Sequence, residues 1–228
     1  MSLDMALRLG GGGVLGLLLG LRHAFEPDHL AAVATLTAER RSMRAGALLG
    51  ATWGCGHTVS LLAGSIALAV VEGRVPRWMD NGLELVVAAM LMVLGARAMC
   101  RVALARARGA EPPGAGDPLP HDAARLGWSS VRRPLLVGVV HGLAGSGALT
   151  ALVMASLPST GVRLAYVALF GIGSTVGMAL LTAAASWPLA RLASGRSAVA
   201  VAGVLSGGAS LGIGAWSAAT ALSHALGR

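Results

Sequence analysis

Lysine is absent from these 228 residues: all eighteen basic side chains are arginine, against ten acidic ones. Without lysine there is no Walker-A phosphate loop and no Schiff-base chemistry. If such a chain moves a solute uphill, an ion gradient or another subunit must drive it. Charge is scarce as well, at 12% of residues, where soluble domains carry about 25%. That excludes an ordinary cytosolic globule. Cysteine is limited to Cys55 and Cys100, in or near different apolar runs and with no CxxC spacing, so redox compartment is not readable. Aromatic residues make up only 4%, and Trp78 and Trp187 near the ends of apolar runs read as interfacial anchors.

What the chain does have is 55% hydrophobic residues, a mean hydropathy of +0.71 and 33 glycines without a G-x-y period. Helices in bilayers use glycine for close packing, so the composition predicts an all-α, polytopic membrane protein. Apolar runs near the 20 residues that a bilayer requires fall at 7–36, 46–71, 80–100, 134–157, 162–187 and 198–224, predicting six transmembrane helices. The first run is longer than needed and must tilt, break or begin outside the hydrocarbon. Residues 101–133, with Pro112, Pro113, Pro118 and Pro120 among glycines and arginines, predict a flexible cytoplasmic linker. His121 within it reads as a solvated linker residue.

The linker separates two copies of one pattern. Leu17, Leu18, Gly20 and His23 recur as Leu135, Leu136, Gly138 and His141, a shift of 118. Gly54, Gly56, Thr58 and Val59 recur as Gly171, Gly173, Thr175 and Val176, a shift of 117, and Gly95-Ala96 matches Gly214-Ala215, a shift of 119. Three spans per copy place the copies in opposite orientations, so residues 1–100 and 134–228 are expected to be inverted three-helix repeats. The apolar stretch after Arg8 matches 132–141 and is therefore expected to belong to the fold rather than to a cleaved signal.

Eleven arginines fall on one set of connections (residues 40–44, 101–133 and 191–196) and five on the other: Arg8, Arg74, Arg77, Arg163 and Arg228. The positive-inside rule makes the first set cytoplasmic, in a bacterial-type inner membrane, with both termini outside. The net charge of +8 is thereby explained by topology, and no nucleic-acid partner is expected.

Each ionisable group at the bilayer centre costs roughly 2.5–3.5 kcal/mol, yet the first run holds Arg22, His23, Glu26, Asp28 and His29 within eight residues. His57, Glu84 and His141 lie in the second, third and fourth runs. On an ideal helix His23 and His29 stand about 120° apart and would not converge. Pro27 clashes with the carbonyl of His23 in a continuous helix. A kink there is expected to bring the side chains together and to free that carbonyl as a ligand. Imidazoles with carboxylates and no paired thiolates suit Ni²⁺, Co²⁺, Zn²⁺ or Mn²⁺ better than Cu(I). The second copy has Ser146 and Gly147 in place of Asp28 and His29, and Ser174 in place of His57, keeping only His141. One metal site, built mainly by the first half, is therefore expected.

Residues 22–29, Arg-His-Ala-Phe-Glu-Pro-Asp-His, resemble the H-x4-D-H signature of the nickel/cobalt transporter (NiCoT) family, and Gly56-His57-Thr58 resembles the Gly-His motif on that family's next helix. The family pattern R-H-A-x-D-A-D-H has Asp-Ala where this chain has Glu26-Pro27, which keeps the acid in kind but introduces a proline. The six-span count is similar to a shorter, urease-accessory-like branch. The resemblance implies Ni²⁺ or Co²⁺ transport with His23, Asp28 and His29 as ligands and no permanently bound cofactor.

Other roles stand beside these. His23, Asp28 and His29 also suit an ion-pair network with Arg22 or a proton relay. Glu26 either binds metal or pairs with Arg22, His57 is a ligand, a gate or a core histidine, and His141 is a ligand or a packing residue. Arg22 and Glu84 are gating or coupling candidates, and Cys55 reads as a buried small hydrophobe. The expected function is a divalent-metal permease rather than an enzyme, with metal passing as the inverted halves rock. The alternatives are a thiol–disulfide electron carrier using Cys55 and Cys100, and a non-transporting accessory protein of a metalloenzyme. An energising or metalloenzyme-maturation partner is compatible with either metal reading.

Overall fold

A computed structural model describes residues 3–37, 42–71, 77–110, 128–144, 157, 159–192 and 196–226, excepting the side chains of 3–12, 69–71, 77, 128–130, 144, 188–192 and 196–198. These residues form seven helices and no strand: α1 (Leu3–His23), α2 (Pro27–Thr37), α3 (Met43–Val71), α4 (Arg77–Ala107), α5 (Trp128–Ala144), α6 (Thr160–Leu192) and α7 (Arg196–Ala225).

The first apolar run is broken, as its proline requires. The chain turns after α1 through bonds from the Phe25 amide to the Arg22 carbonyl (2.9 Å) and from the Glu26 amide to the His23 carbonyl (3.0 Å). It then restarts at Pro27, in the first helical turn, where a missing amide hydrogen is no loss. Glu26 caps α2 by accepting from the Leu30 amide at 2.9 Å, and Asp28 puts a negative charge at the positive end of the helix dipole. One expectation is corrected here: the carbonyl of His23 is taken up by Glu26 instead of being freed as a ligand.

The stretch expected as linker, 101–133, is shorter than its composition suggests. Helix α4 runs on to Ala107, and α5 begins at Trp128, before Pro134. Alanine and arginine are good helix formers, and α4 stops only where Gly109 takes a left-handed φ of +63°. There the Ala110 amide reaches the Ala105 carbonyl (3.0 Å) and the Gly109 amide reaches Arg106 (3.2 Å), a glycine-capped end. His121 and the four linker prolines lie outside the described residues, as do Ser146 and Gly147.

Among the described residues, three helices are long and apolar enough to cross a membrane, at Trp78–Ala107, Thr160–Trp187 and Val199–Ala225. The surface and interior are inverted relative to a soluble protein. Val59, Trp78, Leu180, Leu205 and Trp216 are exposed, whereas His29, His57, His141, Thr37, Ser174, Thr182, Ser186 and Ser210 are fully buried. Soluble proteins rarely expose apolar surface on this scale. The molecule is a helical membrane protein.

Packing runs mainly between the two copies of the sequence pattern. Helix α3 packs on α6 and α5, α4 on α7, and α1 on α6, while α2 wedges among α4, α6 and α7. Small residues allow this closeness. A Cβ added to Gly20 on α1 would overlap the Phe170 carbonyl and meet the Ser174 amide of α6. A Cβ added to Gly138 on α5 would overlap the Trp53 carbonyl and meet the His57 amide of α3. These are equivalent contacts with the copies exchanged. The same reciprocity links Gly173 on Leu17 with Gly56 on Leu135, and Gly95 on Gly207 with Gly214 on Ala88. Where α3 crosses α6, Thr58 donates to the Gly171 carbonyl (2.9 Å) and pairs with its own counterpart, Thr175, at 3.0 Å.

Candidate metal centre

The broken α1–α2 segment delivers two histidines to one place. His23, the last residue of α1, and His29, in the first turn of α2, have ring centroids 4.5 Å apart. Helix α3 adds His57, 5.2 Å from His23 and 5.5 Å from His29. Helix α5 adds His141, 4.3 Å from His29 and 6.5 Å from His57. His29, His57 and His141 have no solvent exposure, and His23 has 5%.

Carboxylates orient these rings from outside. Glu26 Oε1 meets His23 Nδ1 at 2.9 Å. Asp28 bridges two rings, with Oδ1 at 3.1 Å from His29 Nδ1 and Oδ2 at 2.7 Å from His141 Nε2. Asp28 Oδ1 also accepts the His29 backbone amide at 2.9 Å. A carboxylate on one imidazole nitrogen fixes the ring and raises the basicity of the other, the arrangement usual behind metal-binding histidines. The opposite nitrogens, His23 Nε2 and His29 Nε2, are buried without a hydrogen-bond partner, and so are both nitrogens of His57. An unpaired buried polar atom costs about 1–3 kcal/mol, His141 Nδ1 is unpaired as well, and with one lone pair on each neutral imidazole the four rings can meet the demand of a cation.

Ligand atoms of His23, His29 and His57 lie within 4.8 Å of one another, and those of Asp28, His29 and His141 form a second such set. The arrangement therefore gathers His23, Asp28, His29, His57 and His141. Glu26 joins through His23, and the described ion pairs place it there instead of on Arg22, which is exposed. Glu84, on α4, is in neither set.

Two aromatic residues that the sequence did not single out close the site. Trp53, fully buried, stacks on His29 (5.4 Å, 22°) and stands 5.7 Å from His141. Phe170 stands 5.2 Å from His23. A signal was available for Trp53, since it lies four residues before His57 and so on the same helical face. Cys55 and Cys100 are free and exposed, on α3 and α4. The expected burial of Cys55 is corrected: two positions from His57, it lies about 200° round the helix from the site.

Fold and site together define a helical membrane protein that gathers imidazoles and carboxylates in its interior. Over 170 residues the chain is 30% identical to the urease accessory protein UreH of Bacillus sp. (strain TB-90), a match covering 74% of this chain and 73% of that one. The chain belongs to the UreH family, in agreement with the nickel/cobalt-transporter resemblance of residues 22–29. It is also 27% identical over 181 residues to the Arabidopsis thaliana chloroplast protein FOR GROWTH AND FERTILITY 1 (74% of this chain, 47% of that one). The match to FOR GROWTH AND FERTILITY 2 is 28% over 178 residues (73% and 45%), so the chain spans about half the length of these two plant relatives. No family model and no solved structure matches the chain.

Proposed function

We propose that this protein is a membrane permease for a divalent transition-metal cation, nickel or cobalt first among them. In this reading the chain belongs to a short, six-span branch of the NiCoT family. It crosses a cytoplasmic membrane six times as two inverted three-helix repeats, with both termini outside, and 101–133 contains its cytoplasmic connection. The reciprocal glycine contacts support the repeat, and the asymmetry of the arginines supports the orientation.

One observation carries the function. His23, His29 and His57 converge with buried nitrogens that nothing in the protein satisfies. Neutral imidazoles backed by carboxylates select Ni²⁺, Co²⁺ or Zn²⁺; Cu(I) prefers thiolate and thioether, and Ca²⁺ or Mg²⁺ prefers oxygen. Trp53 and Phe170 stand against the rings, so an ion that reaches the buried nitrogens must exchange water for them.

The test is metal flux into proteoliposomes holding a metal-quenched dye, with Ni²⁺, Co²⁺, Zn²⁺ and Mn²⁺ offered in turn. The wild type should admit Ni²⁺ or Co²⁺, and His23→Ala/His29→Ala should abolish the flux. Stoichiometric binding without flux would favour the second reading, a non-transporting accessory protein, which the name of its Bacillus relative supports.

A further inference from the structure

The five donors do not form one shell. A first-row divalent ion sits about 2 Å from each nitrogen or oxygen ligand, so its ligands crowd within about 4 Å of each other. The donors fall into two sets instead, and only His29 belongs to both. Its nitrogens are used differently: Nδ1 meets Asp28, and Nε2 is buried and unpartnered. In the set of His23, His29 and His57 the nitrogens are open. In the set of Asp28, His29 and His141 the carboxylate meets both rings, at 3.1 and 2.7 Å, which leaves His141 Nδ1 as the buried, unpartnered nitrogen of that ring.

Resting on the permease reading, we propose that the two sets are successive stations for one ion. His23 Nε2, His29 Nε2 and His57 receive it, and Asp28, His29 Nδ1 and His141 Nε2 take it next. A neutral imidazole offers one lone pair at a time, so the shared His29 makes the stations mutually exclusive, and one ion occupies the chain at any moment. As the ion passes, His29 stays neutral because the proton on Nδ1 leaves through the part-exposed Asp28 carboxylate, 3.1 Å away, while Nε2 takes up a proton from solvent as the ion vacates it. The transfer exchanges two nitrogens for one nitrogen and a carboxylate, which Ni²⁺ and Co²⁺ accept and Cu(I) does not. The receiving station is built by α1, α2 and α3, whereas the second is built by α2 and α5, so a shift of α5 against α2 opens or closes it.

Co²⁺ tests the proposal, because its visible absorption reports the ligand set. The full chain in nanodiscs is titrated with Co²⁺, and the same variants are assayed for Co²⁺ flux in proteoliposomes. Wild type should bind one Co²⁺ per chain. His57→Ala should weaken binding about 10–100-fold. His141→Ala should keep the spectrum and the affinity yet lower flux about tenfold or more. If His141→Ala does not fold, His141→Gln is read in the same two assays. A loss of affinity in the His141 variant matching that in His57→Ala, or a second Co²⁺ per chain at saturation, would overturn the two stations. Absence of wild-type flux would instead overturn the permease reading, so the two failures are distinct.

Discussion

Trp53 and Phe170 stand at equivalent places in the two halves, 117 positions apart, and each closes on the histidine contributed by the opposite half. Trp53 lies 5.7 Å from His141, and Phe170 lies 5.2 Å from His23. One helical turn further on the halves part company: α3 carries His57 and α6 carries Ser174, both fully buried, with polar side-chain atoms that have no partner. The backbone around them is nearly interchangeable, because Gly138 seats against His57 just as Gly20 seats against Ser174. The two copies of the sequence pattern thus share their packing and differ in chemistry. Contacts of backbone on backbone leave no room for a side chain, whereas a ligand can be exchanged for a hydroxyl without disturbing the helix that carries it. The result is one asymmetric cluster of imidazoles and carboxylates in a nearly symmetric frame.

The strongest way to break the comparison is to fill its tightest contacts. Gly20→Ala and Gly138→Ala should each destabilise by about 1–3 kcal/mol or more through overpacking, and by similar amounts, as read from thermal unfolding in detergent. A large difference between the two would show that the halves do not share one packing scheme. Trp53→Ala and Phe170→Ala should each remove about 3–5 kcal/mol by opening a cavity. The Trp53 variant should also loosen His29 and the Phe170 variant His23, and each should shift the Co²⁺ absorption spectrum.

Exchanging the divergent pair sharpens the point. His57→Ser should lower Co²⁺ affinity about 10–100-fold, while Ser174→Ala should leave affinity unchanged in the same titration. Glu26→Gln, which keeps the shape but weakens the hold on His23, should cost about tenfold in affinity. The smallest effect belongs to the pair on the crossing itself. Thr58→Val and Thr175→Val should each cost about 0.6 kcal/mol, the usual worth of a hydrogen bond between membrane helices, with the double variant adding little.

Much of the site was legible because ionisable residues in apolar runs have few innocent explanations. The cluster at residues 22–29 and its break at Pro27 follow from residue type and from the geometry of proline, and His57 and His141 stand out as imidazoles in apolar runs. The position of the His23 carbonyl was not legible, because the turn at Ala24-Phe25-Glu26 supplies its own donor. The pairing of Asp28 with His141 depends on which helices touch, and sequence periodicity is silent on that. The glycines announce close approach without naming the partner. Hence the duplicated pattern could be seen as two halves, but not that α1 packs on α6 and α5 on α3. On the permease reading, that interleaving favours sliding of single helices over rocking of two self-contained bodies.

The same interleaving has a consequence for how the protein is made. Helix α1 leaves the ribosome long before α6, its main packing partner, has been translated. At roughly 5–20 residues per second, the first histidines and Asp28 wait on the order of ten seconds without the helices that later enclose them. During that interval the nascent first half exposes the faces that α5 and α6 later cover. Messages truncated within the connection between α4 and α5 should yield fragments that are degraded instead of accumulating.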